Sequence, residues 1–362
     1  MDYNSYRRKS REIKVGNLLI GNNNPVSVQS MTNTDTSDRS ATYNQVKALA
    51  DAGCDIVRLA IPDLKSAETI AYIKDKGVSV PLVADIHFDY KIALEALRLG
   101  ADKIRINPGN IGSREKTEAV VSACAERRVP IRIGVNSGSV ERKILEKYGA
   151  PNEKALVESA LSHAKILEEL GFYDFAISVK ASDVQTTIRA NRLLAKSCDY
   201  PIHLGVTEAG ARMRATVKSS IGIGALLSEG IGDTVRVSLT DNPIEEVKMA
   251  REILSALDIT EKRGMDIVSC PTCGRTKINL IKLSEEFERL AEAEGLLDFN
   301  VKVALMGCAV NGPGEAREAD IGIAGGVGEG LLFKKGVTVR KIKEDELLSL
   351  LISEIKLMRD GR

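Results

Sequence analysis

Cys270-Pro271-Thr272-Cys273 is the stretch with the plainest chemistry, and Gly307-Cys308-Ala309-Val310-Asn311-Gly312-Pro313-Gly314-Glu315 completes it. Two thiols in C-x-x-C spacing bite one metal centre, and a third comes thirty-five positions later (308 − 273). A structural zinc site closes on a further Cys or His. None is near, because His87, His163, His203, Cys54, Cys124 and Cys198 all lie in the other part of the chain. Downstream of Cys308 stands a carboxylate, Glu315, across a Gly/Pro-rich loop able to fold back on itself. Three thiolates with one exchangeable oxygen ligand suit an iron-sulfur cluster better than structural zinc, since one weakly held iron stays open to a substrate. Cys-Pro-Thr-Cys-Gly is turn chemistry, not core packing.

A second set of residues is basic. Arg58, Arg105, Arg132, Arg236 and Lys180 each fall in or at the end of a short β-branched run, and polar residues accompany them. Asp85 and His87, Arg105 and Asn107, Arg132 and Asn136, His203 and Thr207, and Arg236 and Ser238 are spaced by two or four, so each pair points to one face of its strand. Four arginines and a lysine gathered at one mouth repel one another unless an anion neutralises them. Arginine's fork matches phosphate oxygens, so a ligand with more than one phosphate is the direct inference. Asp85 and Glu208 become candidates for orienting or proton-transfer work. Of the histidines, His87 and His203 are candidate hydrogen-bond donors, and His163, mid-helix, reads as structural.

The elements that must position these residues keep a rhythm. Residues 13–21 read as a hairpin that turns at Gly16-Asn17 and plugs one end of the larger fold built after it. Eight short apolar runs then alternate with helical patterns: Val26–Ser30, Ile56–Ala60, Pro81–Ile86, Lys103–Asn107, Pro130–Asn136, Phe175–Lys180, Pro201–Thr207 and Thr234–Leu239. The helices between them include Ala41–Ala52, Asp89–Leu99, Glu153–Leu170, Asp183–Lys196, Arg212–Ser228 and Pro243–Leu257, several followed by glycine. Eight βα units predict an α/β fold of the (β/α)8 TIM-barrel type over residues 1–258. An open doubly wound sheet would need a glycine-rich first turn, and no G-x-G-x-x-G follows the first run.

After a short polar linker, residues 265–362 read as a small α/β domain carrying the cysteines. Its expected strands are Met265–Ser269, Val301–Met306, Ile321–Ala324 and Val337–Ile342, and its expected helices Thr276–Glu294 and Glu344–Met358. Gly325-Gly326-Val327-Gly328-Glu329-Gly330 lacks the Lys-Ser/Thr ending of a phosphate loop and reads as a hairpin turn.

Composition excludes several classes. A formal net charge of +1, an aromatic fraction of 4% and no Trp argue against a nucleic-acid binder. No apolar run approaches a membrane span. The basic cluster Arg7, Arg8, Lys9 and Arg11 leads into Glu12-Ile13-Lys14 and not into an apolar run, so it reads as a solvated tail and not as a secretory signal. Six cysteines, half grouped as ligands, fit a reducing cytoplasm without disulfides.

Connectivity implies a partner. The eighth barrel strand ends at the mouth, but the helix after it returns to the opposite end, and about seven linker residues reach only ~25 Å. Two chains head to tail, each cluster capping the other's barrel, would answer this, so a homodimer with composite sites is expected. Two rivals remain: a barrel aldolase with Lys180 as Schiff-base lysine and a zinc-bearing tail, and an electron carrier with a phosphate-sensing barrel.

The motifs Val-Gln-Ser-Met-Thr-Asn-Thr (28–34), Ala-Asp-Ile-His-Phe (84–88), Lys-Ile-Arg-Ile-Asn-Pro-Gly-Asn (103–110), Arg-Ile-Gly-Val-Asn-Ser-Gly-Ser (132–139), His-Leu-Gly-Val-Thr-Glu-Ala-Gly (203–210), Ser-Cys-Pro-Thr-Cys-Gly-Arg-Thr (269–276) and Met-Gly-Cys-Ala-Val-Asn-Gly-Pro-Gly-Glu (306–315) resemble the 4-hydroxy-3-methylbut-2-enyl diphosphate synthases, in order and over nearly the whole chain. The resemblance implies a barrel plus a domain with one four-iron four-sulfur cluster per chain, held by Cys270, Cys273, Cys308 and Glu315. It implies reductive ring opening and dehydration of 2-C-methyl-D-erythritol 2,4-cyclodiphosphate in the non-mevalonate isoprenoid pathway, with two electrons from ferredoxin or flavodoxin. It assigns Arg58, Arg105, Arg132, Arg236 and Lys180 to diphosphate binding and Glu208 to acid/base work. The short linker matches the family's compact two-domain form, a head-to-tail dimer, and not the form with an inserted domain.

Overall fold

The structure is a computed structural model that describes residues 3–260, 264–308, 314 and 316–361. It divides into two units, Met1–Thr260 and Glu261–Arg362.

The first unit opens with β1 (Ile13–Val15) and β2 (Leu18–Ile20), paired across Gly16-Asn17 with Gly16 in the left-handed region that the tight turn requires. Ile13, Val15 and Ile20 pack on Ile56, Val83 and Ala176, which lie near the starts of three barrel strands, so the hairpin plugs the N-terminal end of the barrel. The strands are β3 (Ser27–Met31), β4 (Ile56–Ala60), β5 (Leu82–Asp85), β6 (Lys103–Ile106), β7 (Ile131–Asn136), β8 (Phe175–Lys180), β9 (His203–Leu204) and β10 (Thr234–Val235). They pair in parallel in the order β8-β7-β6-β5-β4-β3-β10-β9, and a parallel bridge from Ile177 to Ile202 joins the two ends into a closed ring. This is the (β/α)8 barrel expected from the eight runs.

The helices are α1 (Arg39–Asp51), α2 (Leu64–Asp75), α3 (Tyr90–Arg98), α4 (Arg114–Arg127), α5 (Arg142–Tyr148), α6 (Glu153–Glu169), α7 (Val184–Ser197), α8 (Arg212–Ser228) and α9 (Pro243–Ala256). Several start where sequence chemistry dictates: the side chains of Asp38, Asp63, Asp89, Asn152, Asp183 and Asn242 each accept from a first-turn backbone N–H. Outward strand residues such as Val57, Leu59, Ile104, Ile106, Ile133 and Val135 join the helices in one apolar core. The runs expected over 201–207 and 234–239 keep regular ladders for only two residues each. Gly205 lies where a Cβ would stand 2.6 Å from the Arg236 carbonyl and 2.6 Å from Lys180 Nζ, so the backbones draw together there over a side chain.

The second unit holds a five-stranded sheet in the order β11 (Met265–Ser269), β12 (Val301–Met306), β13 (Ile321–Gly325), β14 (Glu329–Lys334) and β15 (Val337–Lys343). The first three run parallel, and the last two are antiparallel hairpin partners. The glycine-rich stretch is the β13–β14 turn, as read, but β14 itself was not expected from the sequence. Helices α10 (Leu280–Ala293) and α11 (Leu347–Arg359) share one core with Val303, Leu305, Ile321 and Ile323, while Ala304, Met306, Ala324 and Phe333 cluster separately. Helix α10 begins four residues later than expected at Thr276, because Asn279 is its cap, accepting from the Lys282 N–H, and Thr276 Oγ1 accepts instead from the Cys273 N–H.

Candidate functional site

Alternation along β3–β10 turns one residue in two into the barrel, and the parallel register stacks these residues in layers. Barrel interiors are normally filled with Val, Ile and Leu. Here only the lowest levels carry such residues, Ile56, Val83 and Ala176, resting on the plug. With the strand tilt of a closed barrel added to the register, Arg58, Arg105, Ser178 and Arg236 come level above them, with Arg132 just below and Lys180 nearer the mouth. The sequence reading of one shared cationic mouth therefore corresponds to one contiguous cluster.

Asp85 ties part of that cluster together. It lies 3.4 Å from Arg58 and 3.3 Å from Arg105, and His87 Nε2 stands 3.6 Å away. Burial pushes the Asp85 carboxyl up, but Arg58, Arg105 and Arg132 outweigh it and hold the group below the usual carboxylate range. Asp85 is thus an ionised anchor for two arginines. Arg105 also donates to the Gly134 carbonyl at 2.6 Å, and its guanidinium lies over Gly134 where a Cβ would collide. Asn107 fixes the same strand by accepting from the Gly134 N–H at 3.0 Å.

Arg132 is 2% exposed and donates to Ser178 Oγ at 2.8 Å, but its Nε and Nη2 have no partner. Burial and then the neighbouring Arg58 and Arg105 oppose its charge, and the same crowding pushes Arg58 down to about 10 and Lys180 well below a free lysine. An arginine keeps its proton at any ordinary pH, so the cost of this cluster falls when an anion seats against it.

The remaining expected residues are spread along the depth of the barrel. His203 is fully buried below the arginine layer, where Nδ1 pairs with Thr234 Oγ1; burial, then Lys180 and Arg132, keep its ring neutral. His87 is exposed at the end of β5, Thr207 is half-buried and Ser238 is half-buried beyond β10. Asn136 closes β7 and caps the turn of Ser137–Ser139. Glu208 is exposed and adopts φ 52°, the left-handed region that a non-glycine residue enters at a cost. His163 is structural: its Nδ1 accepts from the Gly109 N–H at 3.0 Å, and Nε2 lies 2.8 Å from Glu141.

Two charged interior residues escaped the sequence reading. Lys103 is wholly buried, and its place two before Arg105 on the same strand face was the signal that could have found it. Glu246 reaches in from the first turn of α9, accepting from Ser30 Oγ at 2.8 Å and from the Leu239 N–H at 3.0 Å, with Arg236 Nε at 3.6 Å. Nothing in its spacing separates it from an ordinary first-turn acid.

The three cysteines lie at one end of the second sheet, on the loops leaving β11 and β12. Cys270 N–H donates to the Leu305 carbonyl, and the Gly307 N–H donates to Cys270 Sγ at 3.2 Å. Arg275 and its backbone lower the pKa of Cys273, and all three thiols are free. Gly307 leaves room for Thr276, whose side chain a Cβ would meet at 2.7 Å. Among the described residues no three Cys, His, Asp or Glu side chains are drawn within reach of one metal ion. Glu315, the expected fourth ligand, lies outside the described residues. Three thiols on adjacent strand ends, one accepting a backbone N–H, are nonetheless the donor set that a cluster takes.

Comparison with known proteins agrees with both units. The family model described as the GcpE TIM-barrel domain matches residues 10–251, and that of the GcpE protein C-terminal domain matches residues 266–357. The chain is 57% identical over 352 residues to a 4-hydroxy-3-methylbut-2-en-1-yl diphosphate synthase (flavodoxin) of Ruminiclostridium cellulolyticum, covering 97% of this chain and 98% of the relative. Relatives of the same name in Clostridium perfringens (57% identical; 97% and 99% covered) and Geobacter sulfurreducens (56%; 97% and 98%) are similar. Among solved structures, a type I 3-dehydroquinate dehydratase from Clostridium difficile superposes with a TM-score of 0.51 at 16% identity, covering 68% of this chain and 98% of that one, a likeness of fold alone.

Proposed function

This chain belongs to the GcpE family, that of the 4-hydroxy-3-methylbut-2-en-1-yl diphosphate synthases, and from that premise we propose that it opens 2-C-methyl-D-erythritol 2,4-cyclodiphosphate reductively and releases water to give 4-hydroxy-3-methylbut-2-enyl diphosphate. The observation that carries the reading at the site is the cationic cluster of buried Arg132 and Lys180 with half-buried Arg58, Arg105 and Arg236, whose interior carboxylates are Asp85 and Glu246. The cyclic diphosphate seats there through its phosphate oxygens. Asp85 and Glu246 hold Arg58, Arg105 and Arg236 in place from behind, so the forks are oriented before the ligand arrives.

Asn107, Asn136, Thr207 and Ser238 stand along the wall toward the mouth, where the carbon skeleton and its hydroxyls would lie, and His87 rims the opening. Glu208, held in the left-handed conformation at the end of β9, is the group we assign to deliver a proton as a hydroxyl departs as water. Asp85, ionised between two arginines, orients and does not donate. His203, below the arginines, supports the cluster from beneath. The aldolase alternative has a buried Lys180 amine in its favour, but the arginines around it exceed what one phosphate needs.

Cys270, Cys273 and Cys308, with Glu315, would hold one four-iron four-sulfur cluster per chain, which when bound supplies the two electrons of the reaction. The name its relatives carry supports flavodoxin as donor, ahead of ferredoxin. We further infer a cytoplasmic head-to-tail homodimer, the cluster of one chain serving the barrel of the other, because the connection after α9 is short. No helix among the described residues is long and apolar enough to cross a membrane.

The test is product formation by anaerobically prepared, iron-loaded protein given the cyclic diphosphate and a low-potential reductant, read by mass spectrometry. The linear hydroxymethylbutenyl diphosphate is expected. Fully loaded protein that yields none would reject the assignment.

A further inference from the structure

A lysine sealed low in the barrel has no part in the catalytic roles assigned so far. Lys103 points inward from β6 below the arginine layer, level with Ile56, Ala176 and Thr234, and none of its side chain reaches solvent. Its Nζ has no hydrogen-bond partner. Gln29 Oε1 and Nε2, His203 Nε2, and Nε and Nη2 of Arg132, on β3, β9 and β7, also lack a partner.

The charged groups facing Lys103 are Arg132 from β7 and Arg58 from β4, both of like sign, and His203 from β9 is neutral. The interior carboxylates are spoken for, Asp85 by Arg58 and Arg105 and Glu246 by Arg236. Fully charged, the interior would set Arg58, Lys103, Arg105, Arg132, Lys180 and Arg236 against Asp85 and Glu246 alone. Arginine cannot relieve that excess by losing a proton, but lysine can. Burial first, then Arg132 and Arg58, pull the Lys103 amine down to about 7. An anion seated on the arginines reverses the field.

Resting on the diphosphate reading of the mouth, we propose that Lys103 is the proton-accepting floor of that site: an amine mostly neutral in the free protein on the alkaline side of neutrality, which takes up a proton when a cyclic diphosphate binds above it. Lys103 is then a positioning residue whose charge appears only beneath a bound anion. Affinity becomes proton-linked, and the barrel does not carry the full burden of buried charge while empty. Lys180 contributes a proton of its own by the same logic, so the wild-type count exceeds that of Lys103 alone.

Both acidic oxygens of a cyclic diphosphate diester are ionised well below neutrality, so protons taken up on binding belong to the protein. The experiment is titration calorimetry of the whole chain without reductant, about one pH unit above the Lys103 value of about 7, in two buffers of different ionisation enthalpy. Wild-type protein is expected to take up protons with the cyclic diphosphate, and Lys103→Met about one fewer, with an affinity that varies less over about pH 7 to about pH 9. Equal proton counts in the two proteins overturn the proposal. Lys103→Gln replaces the first variant if that does not fold.

Trimetaphosphate, a cyclic anion without a group that titrates in this range, separates the two ideas. Lys103-dependent uptake with trimetaphosphate, but no binding of the cyclic diphosphate, supports the proton-accepting floor and rejects the substrate. No anion-linked uptake from either probe rejects the floor.

Discussion

At the scale of single residues, the interior of this barrel is a problem in electrostatics. Asp85 keeps Arg58 and Arg105 aligned, and replacing it with Asn leaves those forks without their anchor while making the mouth more cationic. Asp85→Asn is therefore expected to lower kcat by about tenfold or more without weakening the binding of a simple anion, a split that steady-state kinetics and trimetaphosphate titration would read. Lys103 makes a second prediction, on stability. Its folded pKa of about 7 lies below the ~10.4 of an unfolded lysine, so the unfolded chain binds more protons between the two. Stability should rise with pH through that window, and Lys103→Met should flatten the rise, as denaturant melts at several pH values would show. At the thiol end, Glu315→Cys is expected to leave iron and sulfide content intact while suppressing turnover; full activity would reject an exchangeable fourth ligand.

At the scale of elements, each functional group is fixed by how its strand or turn ends. The β1–β2 hairpin buries Ile13, Val15 and Ile20 against the barrel floor, giving the lowest polar layer a dry base. Ile20→Ala should cost about 2–4 kcal/mol of stability, measured by denaturant unfolding, because the plug leaves little room for collapse. In the second unit, Gly307 admits Thr276, whose hydroxyl accepts the Cys273 N–H at 3.0 Å. Gly307→Ala must displace that side chain and loosen the loop, and a lower iron content per folded chain is the expected result. Retention of full iron would show that the loop sets without Thr276.

At the scale of the whole molecule, composite sites make a prediction that no single variant can. Arg132→Ala disables the barrel and Cys270→Ser disables the thiol set, so each protein alone should be inactive. Mixed in equal amounts and allowed to exchange subunits, head-to-tail dimers regain one good site in each heterodimer, about a quarter of wild-type activity. Sites formed within one chain would regain none.

How much of this was legible before folding differs residue by residue. Period-two spacing exposed Asp85/His87, Arg105/Asn107 and Arg132/Asn136, because alternation is local and any strand obeys it. Six helix starts were written as Asp or Asn caps for the same local reason. β14 was missed because its glycine-rich beginning reads as a turn, and only pairing with both β13 and β15 makes it a strand. By itself the sequence determined the alternation of strand and helix, the basic residues that share a face, the cysteine spacing and the family motifs. Tertiary structure alone decided that Glu246 enters the barrel from a helix, that His203 lies beneath the arginines, that Asp85 is bound on two sides, and that Lys103 is sealed without a partner. Those facts depend on ring closure and depth, which bring together side chains from distant strands, and no local spacing encodes either.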